Sequence, residues 1–197
     1  PQGGRLFEYG CGTGGLLKAL PAQFEACGYD PLPSARHRCR LIVQEAMIVE
    51  EWEDLLPDAF DIIVAVDTLQ VPQPFAVLKR LIVKLAKGGM LFLVVPNPSG
   101  FGHWWKARTG QVPRQVGSGE LRTYAQWAAM LRHAGLEVGR AQGDGLWDVP
   151  YVPYVPSYAQ RAVLSIPAAC QYFLPFRGVG LPTICLLYTS DAADEWL

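Results

Sequence analysis

The sequence holds no uninterrupted apolar run of the roughly 18 residues that a membrane-spanning helix needs. Its most hydrophobic region, 78–95, is broken by Lys79, Arg80, Lys84, Lys87 and the pair Gly88-Gly89. No transmembrane segment is expected. The chain also lacks an excess of either charge, since 17 Lys and Arg face 18 Asp and Glu for a net charge of -1. That balance supplies no basic footprint for a nucleic-acid backbone or an anionic membrane. The cysteines Cys11, Cys27, Cys39, Cys170 and Cys185 are odd in number and form no Cys-x-x-Cys pair. This argues against both a disulfide framework and a zinc site, so no metal is expected and reduced thiols in a cytoplasmic protein fit best. Histidine is scarce as well, with only His37, His103 and His133 to titrate near neutrality.

What is present is a core. Half of the 197 residues are hydrophobic and 18% are charged, which excludes wholesale disorder and suits one domain. Apolar stretches at 5–9, 24–29, 46–49, 60–66, 90–95 and 136–141 read as strands, and helical spacing separates most of them. Phe75, Leu78, Leu81, Ile82 and Leu85 form an amphipathic stripe that the spacing carries to a cap at Gly88-Gly89. Thr123 and Gln126 have the spacing of a capping box opening another helix. Strands alternating with helices predict an α/β fold, Rossmann-like and doubly wound, with a mostly parallel sheet.

Both ends have an unusual character. The chain opens at Pro1 directly before a strand, which reads as an N-terminal truncation. At the other end, the run from Cys185 to Glu195 resembles a translated sequencing adapter, as in a metagenomic fragment. The expected domain is therefore 1–184, with 185–197 a non-native tail. Two stretches without periodicity, 97–122 and 143–178, read as lid-like insertions over the carboxyl edge of the sheet.

The segment Glu8-Tyr9-Gly10-Cys11-Gly12-Thr13-Gly14 joins the first strand to its helix. Glycines there let a ligand approach the backbone, and N–H groups at a helix start favour phosphate-like or nucleotide ligands. Gly10, Gly12 and Gly15 satisfy Gly-x-Gly-x-x-Gly, and Asp30 stands at the end of the second strand where a ribose-binding acid belongs. An acid two residues before Gly-Cys-Gly-Thr-Gly resembles motif I of class I S-adenosylmethionine (SAM)-dependent methyltransferases, of the small-molecule kind. The resemblance extends from Gly4 to about Leu136. It includes Phe60-Asp61-Ile62-Ile63-Val64-Ala65 as the fourth strand, the stretch 81–97 ending in Pro96-Asn97, and Ala134-Gly135-Leu136-Glu137-Val138.

The resemblance implies SAM as cofactor. It sets Gly10, Cys11, Gly12, Thr13 and Gly14 against the methionyl part and makes Glu8 an orienting acid. Asp30 would accept from the ribose hydroxyls, Pro31 and Leu32 would lie near the adenine, and Val66 would line the site from the fourth strand. Glu51 and Trp52 match an acid-plus-apolar pair for the adenine, although Trp52 also reads as a core aromatic. A further antiparallel strand is implied near 179–184, cut short by the adapter-like sequence.

Departures from the family narrow the chemistry. Leu69-Gln70-Val71 replaces a Leu-Glu-His sequence, the Asn-Pro-Pro-aromatic motif is missing after Val66-Asp67-Thr68, and there is no Pro-Cys nucleophile. These omissions agree with the charge balance in rejecting nucleic acid as substrate. His103, between Gly102 and Trp104-Trp105, and Asp67, after the fourth strand, are the candidate catalytic groups. His37 and His133 read as surface and helix-end residues. The aromatic density of the two insertions, which hold Trp104, Trp105, Trp147, Tyr151 and Tyr154 among others, suggests a small apolar or aromatic acceptor and O- or C-methylation. A nonenzymatic SAM-binding module and an NAD-dependent oxidoreductase are the alternatives.

Overall fold

A computed structural model describes residues 3–20, 22–96, 98, 121–143, 158–159 and 183–189. Strands β1 (Gly4–Tyr9), β2 (Phe24–Tyr29), β3 (Met47–Ile48), β4 (Phe60–Val66) and β5 (Leu85–Pro96) alternate with helices α1 (Gly15–Ala19), α2 (Pro33–Ile42) and α3 (Pro74–Lys84). A single 3-10 turn, Trp52–Asp54, follows β3. Helix α4 (Tyr124–His133) then leads to β6 (Glu137–Gly143), and β7 (Thr183–Thr189) completes the sheet. The seven strands lie in the order β3-β2-β1-β4-β5-β7-β6. The first five are mutually parallel, and β7 runs antiparallel between β5 and β6. This is the α/β doubly wound architecture expected from the alternation of strands and helices.

Alternation along each strand divides the core between the two faces. Phe7 and Tyr9 of β1, Ile63 and Ala65 of β4, and Leu91, Leu93 and Val95 of β5 face Trp52, Leu78, Leu81, Trp127 and Leu131. Leu6 and Val64 face the other way, onto Leu17 of α1 and Cys39 of α2 with Cys11 and Val43. The chain runs from β1 through β2 to β3 on one side of β1, then crosses back to β4 on the other. The strand order therefore reverses beside β1, and in open parallel sheets such a point opens a crevice at the carboxyl ends of the strands.

Three boundaries differ from the expectation. Helix α3 stops at Lys84 rather than at Gly88-Gly89. Leu85 is already extended and buried in the core, while the Lys84 ammonium donates to the carbonyls of Glu53, at 2.7 Å, and Leu55. Burial of Leu85 and capture of Lys84 outweigh the glycine cap, and the pairing with β4 shifts register between Phe60 and Ile62. Strand β3 keeps only two residues in the ladder. Strand β7 runs to Thr189, so its backbone pairing takes in Cys185 and the four residues after it, beyond the boundary expected near 184. The Thr123 capping box forms as the spacing predicts, with Gln126 N donating to Thr123 Oγ1 and Thr123 N to Gln126 Oε1.

Candidate functional site

The turn after β1 is shaped by three left-handed glycines, Gly10 (φ 85°), Gly12 (φ 53°) and Gly14 (φ 85°). The amides of Gly10 and Cys11 both donate to Tyr29 O, at 2.7 and 2.9 Å, which lashes the turn to the end of β2. A Cβ on Gly10 would fall 1.8 Å from Thr68 Cγ2, and one on Gly14 would meet Val43 Cγ2 and Cys39 Sγ at 2.5 and 2.7 Å. A Cβ on Gly12 would meet nothing within 4 Å. Gly10 and Gly14 are glycines because protein packs against them, whereas Gly12 borders open space on the crevice.

Asp30 ties that space to β2. Its Oδ2 accepts from Gly12 N at 2.9 Å and its Oδ1 from Leu32 N at 2.9 Å, so both oxygens are held while lone pairs remain for further donors. The Asp30 carbonyl accepts from Arg36 Nη1 at 2.5 Å. Arg36, buried on α2, also bridges to Glu50 at 2.7 Å, and Arg40 joins the same carboxylate at 2.6 Å. These two arginines hold the Glu50 carboxyl below its usual range. Arg36 supports the site unanticipated. The run Arg36-His37-Arg38-Cys39-Arg40 reads as a solvated face, yet Arg36, Cys39 and Val43 share one buried stripe at helical spacing.

Glu8 is 5% exposed, and its Oε2 has no hydrogen-bond partner among the described residues. Burial first, and the nearby Asp30 carboxylate second, push its pKa up to about 7. Desolvation raises the Cys11 thiol far more, and Cys39 lies beside it, so neither cysteine is a thiolate near neutrality.

The segment after β4 meets the glycine turn from the other side. Val66 is partly exposed, and Asp67 follows it, exposed and left-handed (φ 53°), with its amide donating to Val94 O at 2.9 Å. Thr68 Oγ1 donates to Tyr9 O at 3.0 Å, which pins this segment onto the glycine turn. Gln70 is buried, and its Nε2 has no hydrogen-bond partner among the described residues. Thr68 escaped sequence reasoning because its role depends on two loops meeting.

Among the other expected residues, Thr13, Pro31, Leu32 and Glu51 are exposed around the rim. Trp52 is 3% exposed and packs its ring on Phe7, Tyr9 and Tyr29, with the Arg80 guanidinium 5.0 Å from its centroid. It therefore acts as core beneath the rim. His37 is exposed and His133 stacks on Phe75 at the end of α4. His103 and the aromatic residues of 99–120 and 144–157 lie outside the described residues.

Comparison with known proteins bears on this geometry. A family described as a methyltransferase domain matches residues 1–140. The fold is similar to that of a SAM-dependent methyltransferase from Thermotoga maritima at 18% identity, covering 95% of this chain and 82% of that one with a TM-score of 0.67. It is similar to another from Mesorhizobium loti at 15% identity, over 96% and 93% of the two chains, with a TM-score of 0.65. A third, from Archaeoglobus fulgidus, shares 13% identity over 94% and 85% with a TM-score of 0.61. No curated protein matches in sequence.

Proposed function

The chain belongs to the methyltransferase-domain family as a class I SAM-dependent enzyme, and on that premise we propose that it methylates a small acceptor with an apolar or aromatic surface. The observation that carries the cofactor site is the pairing of Gly12 N with Asp30 Oδ2 at a turn position where a side chain would meet no protein. A bare backbone, a held carboxylate and the orphaned oxygen of Glu8 together fit a ligand that brings ribose hydroxyls and a cation.

In this reading Gly10, Cys11, Gly12, Thr13 and Gly14 line the methionyl end, and Asp30 accepts from the ribose. Pro31, Leu32 and Glu51 flank the adenine, with Trp52 as the packed floor, and Val66 borders the reacting centre. When bound, the sulfonium supplies an already activated methyl group. The protein's own task is then to orient the acceptor and keep water away. Asp67, exposed and held in the left-handed region at the end of β4, is proposed as the group nearest the acceptor, with His103 as a proton acceptor from the adjoining insertion. The acceptor class rests on the aromatic density of 97–122 and 143–178, and the near-neutral charge favours a small molecule over nucleic acid. Cytoplasmic residence is part of the same proposal, supported by the free, buried thiols of Cys11, Cys27 and Cys39.

Calorimetry with SAM and S-adenosylhomocysteine tests the site. Asp30→Ala removes the ribose acceptor and is expected to weaken both ligands by about 1.5 to 3 kcal/mol. Affinities equal to those of the unaltered protein would sink the assignment. For the acceptor, labelled-methyl transfer to phenols, quinols and lipid precursors should exceed transfer to nucleic acid or protein. Trp104→Ala and Tyr151→Ala should raise acceptor KM without changing cofactor affinity. Loss of thermal stability alone would mark both aromatics as packing residues.

A further inference from the structure

On the face of the sheet that carries Trp52, helices α3 and α4 supply Leu78, Leu81, Trp127 and Leu131, whereas the crossover from β3 to β4 adds only the 3-10 turn Trp52–Asp54. The Trp52 ring packs on Phe7, Tyr9 and Tyr29, in the carboxyl halves of β1 and β2. Alternation puts Arg5 and Glu25, register partners at the amino ends of those strands, on the same face one step before Phe7 and Cys27. A cavity of about 570 Å³ lies there. It is at the opposite edge of the sheet from the glycine turn and Asp30, about 15 Å away along the strands.

The lining has two characters. Cys27, Leu55 and Phe60 give it an apolar floor, and Met47 and Leu56 stand exposed at its margin. Glu25, Glu45 and Asp54 add three exposed carboxyl groups, none of them ion-paired among the described residues. Arg5, the cation in the lining, is turned to the Asp61 carboxylate and the Asp58 carbonyl. Cys27 is 3% exposed, free and without a hydrogen bond among the described residues, so the floor holds a buried thiol that the packing leaves unpartnered. Like charges gathered beside a low-dielectric floor repel one another, and an incoming cation relieves that repulsion. A bare metal ion does not suit the place: no three of the His, Cys, Asp and Glu side chains converge on one point among the described residues, and an ion would leave the apolar floor wet.

We propose that this cavity is a second binding site, for a small organic cation whose ammonium is held by Glu25, Glu45 and Asp54 while its apolar body covers Cys27, Leu55 and Phe60. The volume falls within the range of small-molecule pockets, and the division into apolar floor and polar margin is what such pockets use to hold and to orient a ligand. Because the cavity lies at the amino ends of the strands, its occupant does not share the crevice at their carboxyl ends, and the site stands or falls independently of the cofactor reading.

The experiment is NMR on the full chain labelled at its methionine methyl groups. The sequence has three methionines, Met47, Met90 and Met130, of which Met47 lines the cavity and the others do not. The probes share one ring system and differ in charge: tryptamine is an ammonium at neutral pH, tryptophol is neutral and indole-3-acetate is an anion. Expected is a saturable shift of the Met47 resonance with tryptamine at about millimolar concentration or below, while Met90 and Met130 stay still. Tryptophol should bind about tenfold more weakly and indole-3-acetate more weakly again, and Glu25→Gln combined with Asp54→Asn should weaken tryptamine by about tenfold, the modest size set by solvent screening at exposed carboxylates. A Met47 resonance that does not move up to about 10 mM tryptamine would overturn the proposal. So would equal affinity for tryptamine and tryptophol, an unchanged tryptamine affinity in the folded double variant, or movement of Met90 or Met130 in place of Met47. The three-probe comparison needs no substitution at a carboxyl group, so a double variant that misfolds leaves the test decisive.

Discussion

At Gly10 and Gly12 the same substitution has opposite expected consequences. Gly10→Ala drives a methyl group into Thr68 and strains a left-handed residue, so it should cost stability of the order of 2 to 3 kcal/mol in urea denaturation. Gly12→Ala meets no protein atom and carries only the backbone strain, about 1 kcal/mol, but it fills the space a cofactor would use. Its signature should be a large loss of S-adenosylhomocysteine affinity with a small shift in melting. A reversal of the two patterns would move the site elsewhere. Glu8 makes a prediction on stability as well. Its carboxyl holds a proton in the folded protein up to about 7 against an ordinary value of 4.5. The unfolded chain therefore binds fewer protons over that window, and stability falls as pH rises from 4.5 to 7 before the penalty levels off. Without cofactor, Glu8→Gln should exceed the unaltered protein in unfolding free energy, read by urea denaturation, at about pH 8 by as much as about 3 kcal/mol, and lose that advantage near pH 5.

Among the elements, α4 is the one whose start the sequence spells out. Thr123 and Gln126 satisfy each other's backbone donors, so Thr123→Ala should cost about 1 kcal/mol and lower the melting temperature with no effect on cofactor binding. A loss of binding at constant stability would instead tie α4 to the site. The opposite case is α3, whose glycine pair promised a cap that the fold does not use. Lys84 explains why: its ammonium is buried against two carbonyls of the 3-10 region, a contact between segments about thirty residues apart that no local pattern announces. The same remoteness hides Thr68, which reaches across to Tyr9 O from the segment after β4.

At the scale of the whole molecule, β7 is the strand on which two others depend. It covers the outer edge of β5 along seven register pairs and is the ladder partner of β6. Ending the chain before Thr183 should therefore expose β5, release β6 and produce an aggregation-prone protein with a lowered or uncooperative melting transition. An unchanged, monomeric melt would mean that α4 alone secures β6, through the contact between them.

The α/β class, the strands at 24–29 and 60–66, the glycine turn and Asp30 were legible in the sequence because each depends on local periodicity or on backbone freedom at a single position. The tertiary structure decided which glycines are squeezed by protein and which faces open space, since that depends on Thr68, Cys39 and Val43 arriving from distant segments. It also decided that Arg36 is buried beneath Asp30, and that Trp52 is committed to the aromatic core. Above all it set Glu8 among Cys11, Cys39 and Asp30. Spacing along a chain can mark an acid before a glycine turn, but desolvation and the charges of neighbours determine its proton affinity, and both are properties of packing in three dimensions.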